Sequence, residues 1–206
     1  MTSIALFAIA RPTFDVPLAQ SVATTALDSL QSAGHTVVGT RDQLLMDADG
    51  AQMAVDALDG LSADLIVLLQ ASFADSSMAV QIAQAAQSTG APLLLWAVPE
   101  ERSGGRLRLN SFCGMNLAGH ALTQHHIRYD YLLQPADNAL ALAAVTQLAR
   151  AGHARQILRK TRIGVVGERP GGFETCDYDA DHLRTLFGSE ILPLALQETL
   201  AEAAGA

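Results

Sequence analysis

The sequence predicts an α/β fold, a flavodoxin-like, doubly wound parallel sheet of strand order 2-1-3-4-5, followed by a short extra βαβ segment. Two observations carry this. Apolar runs without alternation recur at Ile4–Ala10, Leu65–Leu69 and Leu93–Val98, as expected of strands covered on both faces of a parallel sheet. Between them lie alanine- and leucine-rich stretches with helical spacing, so strand and helix alternate along the chain. Composition agrees, because 50% of the 206 residues are hydrophobic and only 5% aromatic, the profile of a helix-rich α/β protein.

The elements follow in order. Strand one is Ser3–Ala8. Asp15 is the N-cap of a helix that has Pro17 near its first position and Ala19, Val22, Ala23, Ala26, Leu27, Leu30 and Ala33 on one face. Gly34 closes it. Thr36–Val38 is a short second strand, Ala51–Leu61 a second helix and Asp64–Leu69 the third strand. A polar loop, Gln70–Ser76, leads to a helix with Met78, Ile82, Ala85 and Ala86 on one side, which ends at Gly90.

The stretch Pro92–Leu122 carries the first functional clue. Strand four ends at Pro99, and about a dozen residues rich in Arg, Glu and Gly follow, more than a βα connection needs. Asn110 and Ser111 then offer N-cap side chains ahead of a helix over Cys113–Leu122. Ile127–Leu132 alternates and reads as an edge strand, and Pro135 and Asp137 start a long helix to Leu158. Residues 1–160 form the first α/β domain. Residues 161–206, with Ile163–Val166, a helix over Asp179–Phe187 and the apolar Glu190–Leu194, are the start of a second α/β domain or a C-terminal extension.

Charge and cysteine content narrow the function classes. A net charge of -8 argues against nucleic acid and against anionic membranes, since both need clustered Lys and Arg. No stretch approaches the roughly 20 apolar residues of a membrane span. Two cysteines, Cys113 and Cys176, lie far apart and suggest neither a disulfide framework nor a zinc site, so a reduced cytoplasmic setting is expected.

Some residues admit two readings each. Gly164, Gly167, Gly171 and Gly172 match neither a dinucleotide fingerprint nor a P-loop, and a tight turn accounts for them. His120, His125 and His126 sit around a helix end at poor chelating spacing. Cys113 is either a packed cysteine or a thiol lowered by a helix N-terminus. Arg11, directly after strand one, either pairs with Asp15 or Glu100 or holds ligand hydroxyls or an anion by its fixed N–H geometry. Trp96 is either core or an apolar face for a sugar ring.

Four segments, Ala10–Asp15 (ARPTFD), Leu95–Glu100 (LWAVPE), Leu109–Gly114 (LNSFCG) and Arg162–Phe173 (RIGVVGERPGGF), occur in this order across nearly the whole chain. Together they resemble the N-terminal part of the L-fucose/L-arabinose isomerase-like family. The resemblance implies aldose–ketose interconversion with a divalent metal, commonly manganese, in longer subunits that assemble as homo-oligomers. It places the metal ligands and the acid/base carboxylates in later domains, so none is assigned here. The first domain would help close the active site of a neighbouring subunit, with Arg11, Trp96 and Asn110 as contacts to a sugar or polyol. The alternative is a free-standing sugar-binding or regulatory module without catalysis.

Overall fold

The computed structural model describes residues 1–101 and 104–205. Strands β1 (Ser3–Ile9), β2 (Thr36–Leu45), β3 (Leu65–Gln70), β4 (Leu93–Ala97) and β5 (Asp130–Leu133) form one sheet in the order β2-β1-β3-β4-β5. Every pairing in it is parallel. Helices α1 (Val16–Ser32), α2 (Ala48–Leu58), α3 (Ser76–Ala86), α4 (Ser111–Gln124) and α5 (Ala139–Arg159) connect and cover the strands.

The unbroken apolar runs are explained by two cores. Ala5, Phe7, Ile9, Ile66, Leu68 and Leu95 pack with residues of α2, α3 and α4. Their chain neighbours Ile4, Leu6, Ala8, Val67, Leu69, Leu94 and Trp96 pack with residues of α1 and α5. Successive side chains of a strand point to opposite faces, so a strand with helices on both sides must be apolar at every position.

Helix α1 starts as expected, with the Asp15 carboxylate accepting from the backbone N–H of Leu18 at 3.0 Å. Other bounds move. Helix α2 begins at Ala48, because Asp47 caps it by accepting from the Gly50 N–H. Strand β5 starts at Asp130 rather than Ile127, after a turn in which His126 has φ 56°. Strand β2 runs to Leu45, well past Val38, and its pairing with β1 shifts register between Leu6 and Ala8. At that irregularity Gly39 has φ 80°, and a Cβ there would stand 3.0 Å from the Leu6 carbonyl oxygen, so only glycine passes so close to β1.

The chain divides into two compact units, 1–153 and 154–206, with α5 spanning the division. In the second unit β6 (Arg162–Val166) and β7 (Glu190–Leu194) pair in parallel, joined through α6 (Ala180–Phe187), which is the expected βαβ segment. A further helix, α7 (Leu196–Ala204), follows β7. Neither α6 nor α7 buries a residue. Among the described residues no helix is long and apolar enough to cross a membrane.

Candidate functional site

Because the five strands are parallel, their carboxyl ends share one edge, where open α/β sheets bind ligands. The loops 10–15, 71–75 and 134–138 meet there with residues 98–101 and 104–110, and hydrogen bonds join 10–15, 71–75 and 104–110. The Arg11 backbone N–H donates to Ser72 Oγ at 3.1 Å. Phe73 N–H donates to the Leu109 carbonyl at 2.7 Å, and Asp15 N–H to the Arg108 carbonyl at 3.0 Å. Arg106 Nη2 adds a bond to the Thr13 carbonyl at 3.1 Å. The end of the long loop therefore bridges the loops after β1 and β3, the two strands of the switch point. The loops that begin near Arg11 and Ala71 are thus tied to the segment ending at Asn110, and Ala71 is buried.

Glu100 organises this arrangement. Its carboxylate accepts from three backbone N–H groups, those of Arg108, of Leu109 at 2.8 Å and of Asn110 at 2.8 Å. A carboxylate taking several backbone donors acts as a template for a loop that has no strand or helix to satisfy it. Sequence reasoning had Glu100 only as a possible partner of Arg11, and no periodicity or spacing points to its actual role.

Arg11 is exposed and pairs with neither carboxylate considered for it. Asp15 is taken by Arg108, whose Nε and Nη2 donate to one carboxylate oxygen at 2.9 and 2.7 Å. The Leu18 N–H first, and then the Arg108 hydrogen bond, hold the Asp15 carboxyl below the usual carboxylate range. The Arg11 guanidinium lies over the Phe73 ring, 5.9 Å from its centre, within cation–π range. Phe73 also meets Phe14, ring centre to ring centre at 5.6 Å.

Trp96 is fully buried in the α1 and α5 layer, and its Nε1–H donates to the Gln134 carbonyl at 3.0 Å. The core reading of this residue is the one the structure contains, and no ring face is open to a sugar. Asn110 stands at the start of α4 in the left-handed region, φ 52°, and its side chain makes no capping bond. Ser111 does not cap the helix either. Its Oγ donates to the Gln70 carbonyl and accepts from the Val98 N–H at 3.0 Å, tying α4 to the ends of β3 and β4. Arg11 and the segment leading into Asn110 thus border the same residue, Phe73, while Trp96 lies in the core beneath.

A groove of about 600 Å³ opens on the α1 side of the long loop, lined by Ser21, Thr25, Glu101, Arg106 and Asp137 among others. Neither Arg11 nor Trp96 lines it. Cys113 is exposed rather than packed, and His120, His125 and His126 are exposed around the end of α4. Among the described residues no three His, Cys, Asp or Glu side chains converge as a metal site would require.

A family model described as fucose/sulfoquinovose isomerase, N-terminal domain, matches residues 5–151. Arabinose has no place in that description. Among curated relatives, a sulfoquinovose isomerase of Priestia aryabhattai is 27% identical over 98% of this chain and 44% of its own length. One from Alkalicoccus urumqiensis is 31% identical over 68% of this chain and 31% of its own length. The chain thus spans less than half the length of the curated relatives it matches.

Proposed function

Because the chain belongs to the fucose/sulfoquinovose isomerase N-terminal domain family, we propose that it serves as the amino-terminal part of a longer sugar isomerase that interconverts an aldose and its ketose. The substrate in this reading is a sulfonated hexose such as sulfoquinovose, the sugar named for its curated relatives. The observation that carries the proposal is the family match across residues 5–151, nearly all of the first unit.

The division of labour follows from the residues. Moving a proton between adjacent carbons needs a base and polarisation of the two oxygens, which a divalent metal such as manganese supplies when bound. This chain brings no assembled metal ligands among its described residues. Its part is to wall the substrate at the carboxyl edge of the sheet, with Arg11 and the Asn110 amide as contacts and Trp96 acting only through the core that supports them. Glu100 and Arg108 hold that wall rigid, as a positioning element must be.

The same reading makes residues 161–206 the start of a second α/β domain. Ile163, Phe173 and Leu200 are 40%, 56% and 60% exposed, apolar surface that further chain would cover. It also makes the assembled protein a cytoplasmic homo-oligomer. Phe112 and Tyr131, 44% and 73% exposed beside a groove of about 370 Å³ on α4 and β5, support oligomer contacts.

The test is isomerisation of sulfoquinovose and of fucose, followed by proton NMR of the anomeric signals, with manganese present. Turnover by the longer protein carrying this domain, and none by the 206-residue chain alone, is expected. Metal-dependent turnover by the 206-residue chain would refute the division of labour. No turnover of either sugar by the longer protein would refute the isomerase reading.

A further inference from the structure

We infer that Arg11 is a specificity-determining residue that binds an oxyanion carried by the sugar, and that through it this domain favours an anionic sugar over its neutral counterpart. The inference rests on the sugar-isomerase reading above and assigns one residue's role within it.

The argument starts from how the arginine is held. Its backbone is fixed between two strand ends, the N–H on Ser72 Oγ at 3.1 Å and the carbonyl accepting from Phe14 N–H at 3.1 Å. The guanidinium is seated over Phe73. A ring face restrains an arginine without neutralising it and leaves the N–H edge of the fork free. Of the carboxylates on the neighbouring loops, Asp15, Glu100 and Asp75 are each engaged elsewhere. Asp15 caps α1 and binds Arg108. Glu100 takes three backbone N–H groups. Asp75 caps α3 and accepts from Ser77 Oγ and Ser77 N–H; it feels the charge of Arg11 only as the smallest of the influences on its carboxyl. Among the described residues Arg11 forms no ion pair.

Among the described residues, the other two arginines of this edge differ. Arg108 is spent on Asp15, and Arg106 donates to the Thr13 carbonyl. Both act on the loop itself. Arg11 alone of the three holds its charge in place without using it on the protein. A sugar hydroxyl would satisfy the N–H groups of such a fork but leave its charge uncompensated as the site closes and water leaves, whereas a tetrahedral oxyanion satisfies both. The choice between hydroxyl and anion that the sequence leaves open is decided by the loss of both expected carboxylate partners.

The experiment uses the longer protein carrying this domain and compares kcat/KM for a 6-sulfonated aldose with that for the same aldose bearing a 6-hydroxyl. Arg11→Ala is expected to lower the ratio of the two values roughly ten- to a hundredfold, the range of one charge-assisted contact. Arg11→Lys should restore part of it, and methanesulfonate should inhibit the wild type competitively and the alanine variant more weakly. A ratio that stays put, whether both activities fall or neither does, overturns the inference. Wild-type turnover of the neutral sugar alone also overturns it and leaves the isomerase reading standing. Turnover of neither sugar removes both.

Discussion

Arg108 and Asp15, 93 residues apart in the chain, meet through two hydrogen bonds to a single carboxylate oxygen, at 2.9 and 2.7 Å. The contact joins the loop after β4 to the cap of α1. The guanidinium is 64% exposed, so its attraction is screened and its worth in stability is small. Its consequence lies in selection: it takes the carboxylate nearest in sequence to Arg11.

Removing Glu100 tests the loop template. Glu100→Ala leaves the N–H groups of Arg108, Leu109 and Asn110 without their acceptor, and water replaces it only in part. A loss of about 1–2 kcal/mol is expected. Faster hydrogen exchange at Leu109 and Asn110, with β1 and β3 unchanged, is the accompanying local signature. Unaltered exchange at those two amides would show that the loop is held by other contacts.

Gly152 sets two effects against each other. Alanine in a helix gains about 1 kcal/mol over glycine. A Cβ at this position would stand 1.8 Å from the Asp64 carbonyl oxygen and 2.9 Å from Pro92 Cδ. The first of these is backbone at the entry to β3 and cannot swing aside, so overpacking of roughly 2–3 kcal/mol wins. Gly152→Ala should lower the midpoint of denaturant unfolding, and a raised midpoint would mean that α5 sits farther from the sheet.

His35 makes stability depend on pH. It is buried, with Nδ1 bonded to Thr2 Oγ1 at 2.7 Å and Nε2 to Thr146 Oγ1 at 2.9 Å. Burial first, then the charges of Arg150 and the N-terminus, lower its pKa below 6.5. The folded state therefore favours the neutral ring, and the unfolded chain takes up a proton first. The contribution is intact above about pH 6.5 and is lost as pH falls below that value. Unfolding free energies at pH 8 and pH 5.5 should differ more for the wild type than for His35→Gln. Equal differences would show that His35 does not titrate between them.

Trp96 gives an optical test, because the chain has a single tryptophan. Fully enclosed, with its N–H bonded to Gln134, it should emit at short wavelength and resist quenching by acrylamide. Addition of sugar should leave the emission unchanged. Strong quenching, or a shift on adding sugar, would put an indole face at the ligand.

The strand order was legible in the sequence, and the reason is local. Unalternating runs such as Leu65–Leu69 demand cover on both faces, and the helical stretches between them allow only parallel crossovers, so few topologies remain. The cap at Asp15 was equally legible, since a cap bonds within three residues of itself. What tertiary structure alone decided is which polar groups meet at the carboxyl edge. Loops distant in sequence become neighbours there only once the sheet has formed. Asp15 then has Arg108 within reach and Glu100 has three N–H groups, while Arg11 keeps its charge and Trp96 turns into the core. Periodicity encodes burial, but it carries no record of which carboxylate a given arginine will find.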